Sequence, residues 1–450
     1  MRYALCKTHI LITHLIFSLM LNKAIHPKRV PFLLYSNNKG EIFEDISTEV
    51  AGKSANNIVK LTPKDFIELP EGSDFFRLPG RAGIGFDTKT GKRKTCKKGD
   101  IVSAFVAPAH TQLYFSAFEK TLDAPLLPLY AYTAIGWLND KFYTTAVRID
   151  PDIRQDCDQF DQRIVERNAE KMIKANPENR LLAHIGHCAT VYICPAARNY
   201  FLNRWEAPLP TSPTCNSNCL GCISYQPKET NLKSTQNRIT FIPTPEEIAE
   251  IAIAHLETAP LPVVSFGQGC EGEPLLVWKT LKDAIILIRK KTKKGIINLN
   301  TNGSNPDAVE ELCSAGLDSI RVSINSAIKE HYNAYYQPNN YTFENVINSI
   351  KVVTDNKKWA SVNYFTFPGM TDSFEEYEEF RKIIKQTNLS MIQWRNFNID
   401  PDWYLEKLNY LETKDAMGMK TLLNKIHEEF PGIYFGYFNP PAEIISKYLK

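Results

Sequence analysis

Two hydrophobic periods alternate along the second half of the chain. Short apolar runs such as "PVVSF" (262–266) are followed by stretches whose apolar side chains recur every three or four residues. After Pro274, for example, Leu275, Trp278, Leu281, Ile285 and Ile288 fall on one helical face. Helix signals bracket these stretches. Thr244, Pro245 and Glu247 supply an N-cap, a first-turn proline and a capping-box glutamate, and Ser373 with Glu376 repeats the box. Asn305 and Pro306 open another helix, which Gly316 closes. Strands are expected at "GIINLNTN", "LDSIRVSIN", "ASVNYFTF" and "MIQWRNFNI", and helices at "YTFENVINSIKVV" and "SFEEYEEFRKII". With a short strand ahead of residue 211 these make six βα units, which predicts a parallel sheet.

Parallel strands covered on both faces normally read as continuous apolar runs. These segregate instead. Asn298, Asn300 and Asn302 share one face while Ile297 and Leu299 take the other. Arg321, Ser323 and Asn325 oppose Ile320, Val322 and Ile324, and Ser361 shares a face with Asn363. One solvated face would suit antiparallel hairpins. Strands each followed by a helix point instead to a barrel-like sheet with a polar interior, which is costly unless it binds something. The expected fold is α/β, a partial (β/α)6 TIM-like barrel.

The N-terminal half patterns differently. "VPFLLYS", "IVSAFVAP", "TQLYFSAF" and "FYTTAVRI" are short β-type runs separated by "NNKG", "PEG", "LPGRAGIG" and "DTKTGK". The expected organisation is an extension at 1–29, a β-rich or α+β domain at 30–150 and a mixed segment at 151–204. The barrel-like core follows at 205–400, with a C-terminal extension at 401–450. Within the mixed segment, "FDQRIVERNAEKMIKA" reads as helix and "ATVYI" as a short strand between Cys188 and Cys194.

Composition narrows the class. With 450 residues there is length for two or three domains. A net charge of +3 gives no electrostatic case for nucleic acid or an anionic membrane. The basic run Arg289–Gly295 ends a predicted helix, where cations suit the dipole. The apolar stretch Ile10–Leu21 is too short to span a bilayer and lacks a following cleavage signal, so no stable membrane span is expected. Ten cysteines scattered through so long a chain favour a reducing, cytoplasmic setting and metal chemistry over disulfides.

One group of cysteines is tight. "TSPTCNSNCLGC" places Cys215, Cys219 and Cys222 on the loop after the first core strand, at the C-terminal end of the sheet where such folds build their sites. A closed zinc site needs a fourth ligand. His184, His187, Cys188 and Cys194 could supply one, which would make the chain a non-catalytic zinc-binding or iron–sulfur structural protein. Three thiolates alone suit an iron–sulfur cube with one iron left open.

The C-x-x-x-C-x-x-C spacing on the first βα loop resembles the radical SAM superfamily over roughly residues 205 to 400. The resemblance implies a 4Fe–4S cluster on the three cysteines, with S-adenosylmethionine chelating the fourth iron. It implies reductive cleavage of that cofactor to a 5′-deoxyadenosyl radical that abstracts hydrogen, hence an oxidoreductase-type enzyme with an electron donor such as flavodoxin or ferredoxin. Gly272-Glu273-Pro274 is similar to the family's Gly-Gly-Glu-Pro turn. Asn302, Ser323 and Asn325 match polar cofactor-contacting positions, and "FPGMTD" (367–372) is similar to an adenine-bordering loop. Two positions depart from the pattern: Gly221 replaces an aromatic residue, and Glu271 replaces the first glycine.

The substrate is expected to be a small molecule or a peptide. No cysteine follows Cys313, so a C-terminal auxiliary-cluster extension is not expected and the small metabolite is preferred. A second cluster on Cys157, Cys188 and Cys194 is the further metal candidate. Gln393, Arg395 and Asn396, on the sixth strand, are the candidate substrate-facing and catalytic positions.

Overall fold

In the computed structural model, which describes residues 26–154, 156–410 and 416–449, the N-terminal runs pair as antiparallel strands. The apolar stretch at 10–21 lies outside the described residues. The strands are β1 (Phe32–Ser36), β2 (Ile42–Ser54), β3 (Asn57–Lys60), β4 (Ile67–Glu68), β5 (Asp74–Asp87) and β6 (Arg93–Phe105). There follow β7 (His110–Gln112), β8 (Phe115–Ser116), β9 (Phe118–Lys120), β10 (Ile135–Leu138), β11 (Lys141–Thr144) and β12 (Ala146–Arg148). A ten-stranded sheet runs β3-β2-β5-β6-β1-β10-β11-β4, with β8 on β2 and β9 on β5, and β12 pairs with β7. Asp87 makes the β5–β6 turn by accepting the backbone N–H groups of Lys89 and Thr90. "LPGRAGIG" is not a turn. It lies within β5, whose register against β6 shifts between Arg77 and Ala82, so Pro79 and Gly80 mark a bulge in a long strand.

These strands belong to a first compact unit that also takes in residues from Phe365–Arg381 and Trp394–Tyr437. Arg81 on β5 and Asp400 bond at 2.6 Å with both side chains 2% exposed. Asp400 also accepts the backbone N–H of Leu127 and caps the helix Pro401–Lys407. Removing either partner of such a buried pair costs about 3–5 kcal/mol.

The second unit comprises residues from Asp158–Tyr364, Lys382–Gln393 and Phe438–Lys450. It opens with α1 (Gln162–Ala175), α2 (Arg180–Thr190) and α3 (Pro195–Phe201). The strand expected between Cys188 and Cys194 is not there. Asn179 caps α2, whose buried Leu181, Leu182, Ile185, Cys188 and Ala189 follow helical spacing up to Thr190.

A seven-stranded sheet, in which β19 and the C-terminal ends of β17 and β18 are residues of the first unit, runs in chain order: β13 (Glu206–Leu209), β14 (Val263–Phe266), β15 (Ile296–Thr301), β16 (Ser319–Ile324), β17 (Trp359–Thr366), β18 (Met391–Asn396) and β19 (Tyr434–Gly436). Pairings from β13 through β17 are parallel. The connecting helices are α4 (Pro245–Thr258), α5 (Trp278–Lys291), α6 (Pro306–Ala315), α7 (Lys329–Tyr336), α8 (Phe343–Asp355) and α9 (Phe374–Thr387). The sequence-level caps are present: Thr244 and Glu247 close a capping box, Asn305 accepts from Ala308, and Gly316 ends α6 at φ +119°. Helix α7 was not foreseen. No helix among the described residues is long and apolar enough to cross a membrane.

The two faces of this sheet differ as their period-2 pattern requires. Ile297, Leu299, Ile320, Val322 and Ile324 are fully buried, each stabilising by about 1.5–3 kcal/mol. The polar positions are not a solvated face: Asn298 and Ser361 are 1% exposed and Arg321 8%. Neighbouring polar side chains satisfy one another. Ser319 donates to Asn298 Oδ1 at 2.8 Å, Asn298 donates to Asn300 Oδ1 at 3.0 Å, and Ser265 donates to Glu206 at 2.8 Å.

Candidate active site

The loop after β13 is gripped by the loop after β14. Glu271, one of the two departures from the family pattern, is 4% exposed and accepts the backbone N–H groups of Thr211 (2.7 Å), Ser212 (2.9 Å) and Gln268 (2.7 Å). Burial still raises its carboxyl above the ordinary value. Next along, Gly272 donates to Ser212 O at 2.6 Å and Glu273 to Thr214 O at 2.8 Å. A Cβ on Gly272 would stand 1.9 Å from Thr214 O, so only glycine permits this approach to the residue before Cys215.

The other side of the cysteine loop is held from α7 and from the segment after it. Asn218 donates to Tyr336 O and Leu220 to Tyr335 O, both at 3.0 Å, while Asn339 donates to Asn216 O at 2.9 Å. Asn302 joins the two sides. Its amide donates to Asn216 Oδ1 at 2.8 Å and Ser217 Oγ at 3.1 Å, and its backbone N–H donates to Glu273 Oε2 at 2.8 Å. Glu273 accepts further from Leu275 N and from the Thr301 hydroxyl, and burial pushes its carboxyl up to about 7. Gly272, Glu273 and Asn302 therefore sit with the cysteines in one hydrogen-bonded assembly. Ser323 accepts from Asn363 at 3.4 Å, and Asn325 donates to His331 O at 3.2 Å.

The three thiols converge electrostatically. Burial raises Cys219 well above the ordinary thiol value, and Cys222 and Cys215 raise it further. Cys215 is pushed up to about 11 by burial and by Glu273. Arg238 donates to Cys222 Sγ at 3.5 Å and to Ser224 Oγ at 3.0 Å. The Tyr336 hydroxyl is buried without a hydrogen-bond partner among the described residues, and Cys219 is among the groups that raise its pKa. Three half-buried thiols on one loop fit a cationic metal group, which compensates the charge of their thiolates.

Arg238, Tyr336, Asn216 and Thr301 escaped sequence reading. The tyrosine-dense "HYNAYYQPNNY" was the available signal for Tyr336, whereas Arg238 carried none. On β18, Gln393 is buried and Arg395 half-buried. Asn396 donates to His110 O at 3.0 Å and accepts from Gln112 N at 2.7 Å, so both ends of its amide hold β7. In "FPGMTD", Gly369 has φ +94° and packs on Ala55, whose N–H donates to Pro368 O at 2.7 Å.

A second set of soft ligands lies elsewhere in this unit. His184, Cys188 and Cys270 offer ligand atoms that all lie within 4.8 Å of one another. Cys188 is held below the ordinary thiol range, chiefly by the Cys270 thiol that donates to it. Cys194 donates its backbone N–H to Cys188 O at 3.0 Å. Cys157, expected with Cys188 and Cys194, belongs to the first unit, exposed and packed against Gly72.

Residues 209–381 match the family model described as the radical SAM superfamily. No curated protein matches the chain. Among solved structures it is similar to a radical SAM methyltransferase from Sphaerobacter thermophilus, with 13% identity, a TM-score of 0.36 and coverage of 50% of this chain and 64% of that one. It is similar to Streptococcus suis SuiB bound to precursor peptide SuiA at 13% identity and TM-score 0.37, covering 57% and 52%. The FeFe-hydrogenase maturase HydG from Carboxydothermus hydrogenoformans follows at 14% identity and TM-score 0.38, covering 64% and 72%. The chain thus spans less than two thirds of the methyltransferase and of peptide-bound SuiB.

Proposed function

We propose that this chain, which carries a radical SAM domain over residues 209–381, is an enzyme that cleaves S-adenosylmethionine reductively to start hydrogen abstraction from a small metabolite. The observation that carries this is the hydrogen bonding of Gly272, Glu273 and Asn302 to one another and to the loop that bears the half-buried Cys215, Cys219 and Cys222. When bound, a 4Fe–4S cluster and S-adenosylmethionine supply one-electron cleavage of the sulfonium and a 5′-deoxyadenosyl radical.

The chain's own residues bind and orient. Cys215, Cys219 and Cys222 are the proposed cluster ligands. Arg238 places an N–H group and positive charge at Cys222 Sγ. Gly272 lets the turn close on Thr214 ahead of Cys215, and Glu273 is the proposed acceptor for the cofactor's amino group. Ser323 and Asn325, at the end of β16, are proposed ribose and carboxylate contacts. We read the sheet as a partial (β/α)6 barrel whose polar face bears the substrate. Gln393 and Arg395 are the proposed substrate-facing positions of β18, with Asn396 positioning the strand. An electron donor such as flavodoxin or ferredoxin, a cytoplasmic setting and an oxidoreductase-type reaction complete the proposal.

A zinc-binding protein in which the upstream His/Cys group completes the triplet is not favoured, because His184 and Cys188 close on Cys270 instead. Anaerobic reconstitution tests the proposal. About four irons per chain are expected, with a reduced-cluster electron paramagnetic resonance signal that changes on adding S-adenosylmethionine and disappears in Cys219→Ala. No iron signal, with zinc lost on Cys219→Ala, would overturn it.

A further inference from the structure

His184 and Cys188 are one turn apart on α2, so their side chains share a face. Cys270 reaches them from the loop after β14. The Cys188 Sγ–His184 Nε2 separation is 3.7 Å, and Cys188 and Cys270 are only 3% and 5% exposed. Cys188, Cys194 and Cys270 line a cavity of about 20 Å³, whose wall also includes Ile185, Pro208, Gln236 and Gln268. That is room for one water or one ion.

We propose that His184, Cys188, Cys194 and Cys270 bind a single zinc ion. The spacing selects the metal group. Zinc bonds of about 2.0–2.1 Å to nitrogen and 2.3 Å to sulfur put tetrahedral ligand atoms roughly 3.5–3.8 Å apart. The 3.7 Å separation matches, and all three ligand atoms lie within 4.8 Å of one another, closer than a four-iron cube needs. Cys194, at the N-cap of α3, lines the same cavity outside this group of three and is the proposed fourth ligand. Three thiolates and one imidazole form a closed, structural site, distinct from the open triplet.

The ion acts as a clamp. Cys270 immediately precedes Glu271 and Gly272, which hold Thr211 and Ser212 ahead of the cluster cysteines. Zinc would fasten that loop to α2. Only this consequence rests on the proposed function; the site itself does not.

The test uses the full chain carrying Cys215→Ala, Cys219→Ala and Cys222→Ala, so that metal at the triplet does not contribute. Mass spectrometry of metal content should show about one zinc per chain, lost when Cys188→Ser and Cys270→Ser are added. Cobalt(II) titration of the zinc-free chain should give the visible absorbance of tetrahedral cobalt–thiolate, saturating at about one equivalent and displaced by zinc. If the serine pair does not fold, that titration decides alone. No zinc and no cobalt absorbance would overturn the site; so would several irons per chain that survive the triple alanine substitution. Neither result depends on cofactor cleavage, so this proposal and the radical chemistry fail separately.

Discussion

The backbone N–H of Asn302 donates to Glu273 Oε2 at 2.8 Å, making the end of β15 and the Gly-Glu-Pro turn one unit. The same residue's amide reaches Asn216 Oδ1, between the turn and Cys219. Asn302→Ala would strip Asn216 and Ser217 of a buried donor, costing about 1–3 kcal/mol. The corresponding loss in S-adenosylmethionine affinity is on the order of tenfold or more. Thermal unfolding and equilibrium binding to the reconstituted protein check this. Unchanged affinity would show that the loop holds its shape without Asn302.

Gly272→Ala tests the closest approach in the site. The new Cβ would meet Thr214 O at 1.9 Å, a backbone atom that cannot turn aside. The loop must shift next to Cys215, at a cost of about 1–3 kcal/mol. Iron retained after reconstitution should fall well below the unaltered protein, and full loading at an unchanged unfolding temperature would contradict the geometry.

Arg238→Met should make the cluster harder to reduce. Its N–H groups donate to Cys222 Sγ and Ser224 Oγ, and hydrogen bonds and positive charge at a ligating sulfur raise a cluster's potential. A one-electron shift of about 59 mV is a tenfold change in equilibrium. A redox titration followed by electron paramagnetic resonance should give a more negative midpoint, with iron content unchanged.

Acid should destabilise the second unit through His255. Burial lowers its pKa from 6.5 to about 4; Nε2 meets Trp205 O at 3.3 Å, and Nδ1 is buried without a partner among the described residues. Because the folded pKa is depressed, the unfolded chain takes up the proton first. The stability is therefore present above about pH 6.5 and is lost as pH falls towards 4, at up to about 1.4 kcal/mol per unit. His255→Gln should flatten denaturant-derived stability across that window, and an unaltered slope would contradict the buried neutral imidazole.

Much of this was legible along the chain because it is local. The capping box at Thr244, the Ser373 hydroxyl that accepts from Glu376 N, the period-2 split in "IINLNT" and the cysteine spacing all act within a few residues. What was missed depends on approach in space. Cys270 meets Cys188 across 82 positions, so no spacing rule relates them. Arg238 reaches Cys222 from a segment with no periodic signal. Glu271, a departure from the family turn, proves to be the staple for Thr211 and Ser212, a role invisible until both loops are folded. Gly221, the other departure, has no physical explanation in the structure. "LPGRAGIG" misled because Pro and Gly mark bulges as well as turns, and pairing with β6 decided between them.

The central claim is that the triplet is a site for reductive cleavage of S-adenosylmethionine. The most direct measurement is 5′-deoxyadenosine released by the anaerobically reconstituted full chain given S-adenosylmethionine and dithionite. Release of 5′-deoxyadenosine and methionine in equal amounts, abolished by Cys219→Ala, is the expected result. A chain that retains a complete cluster and binds S-adenosylmethionine yet releases no 5′-deoxyadenosine would contradict it.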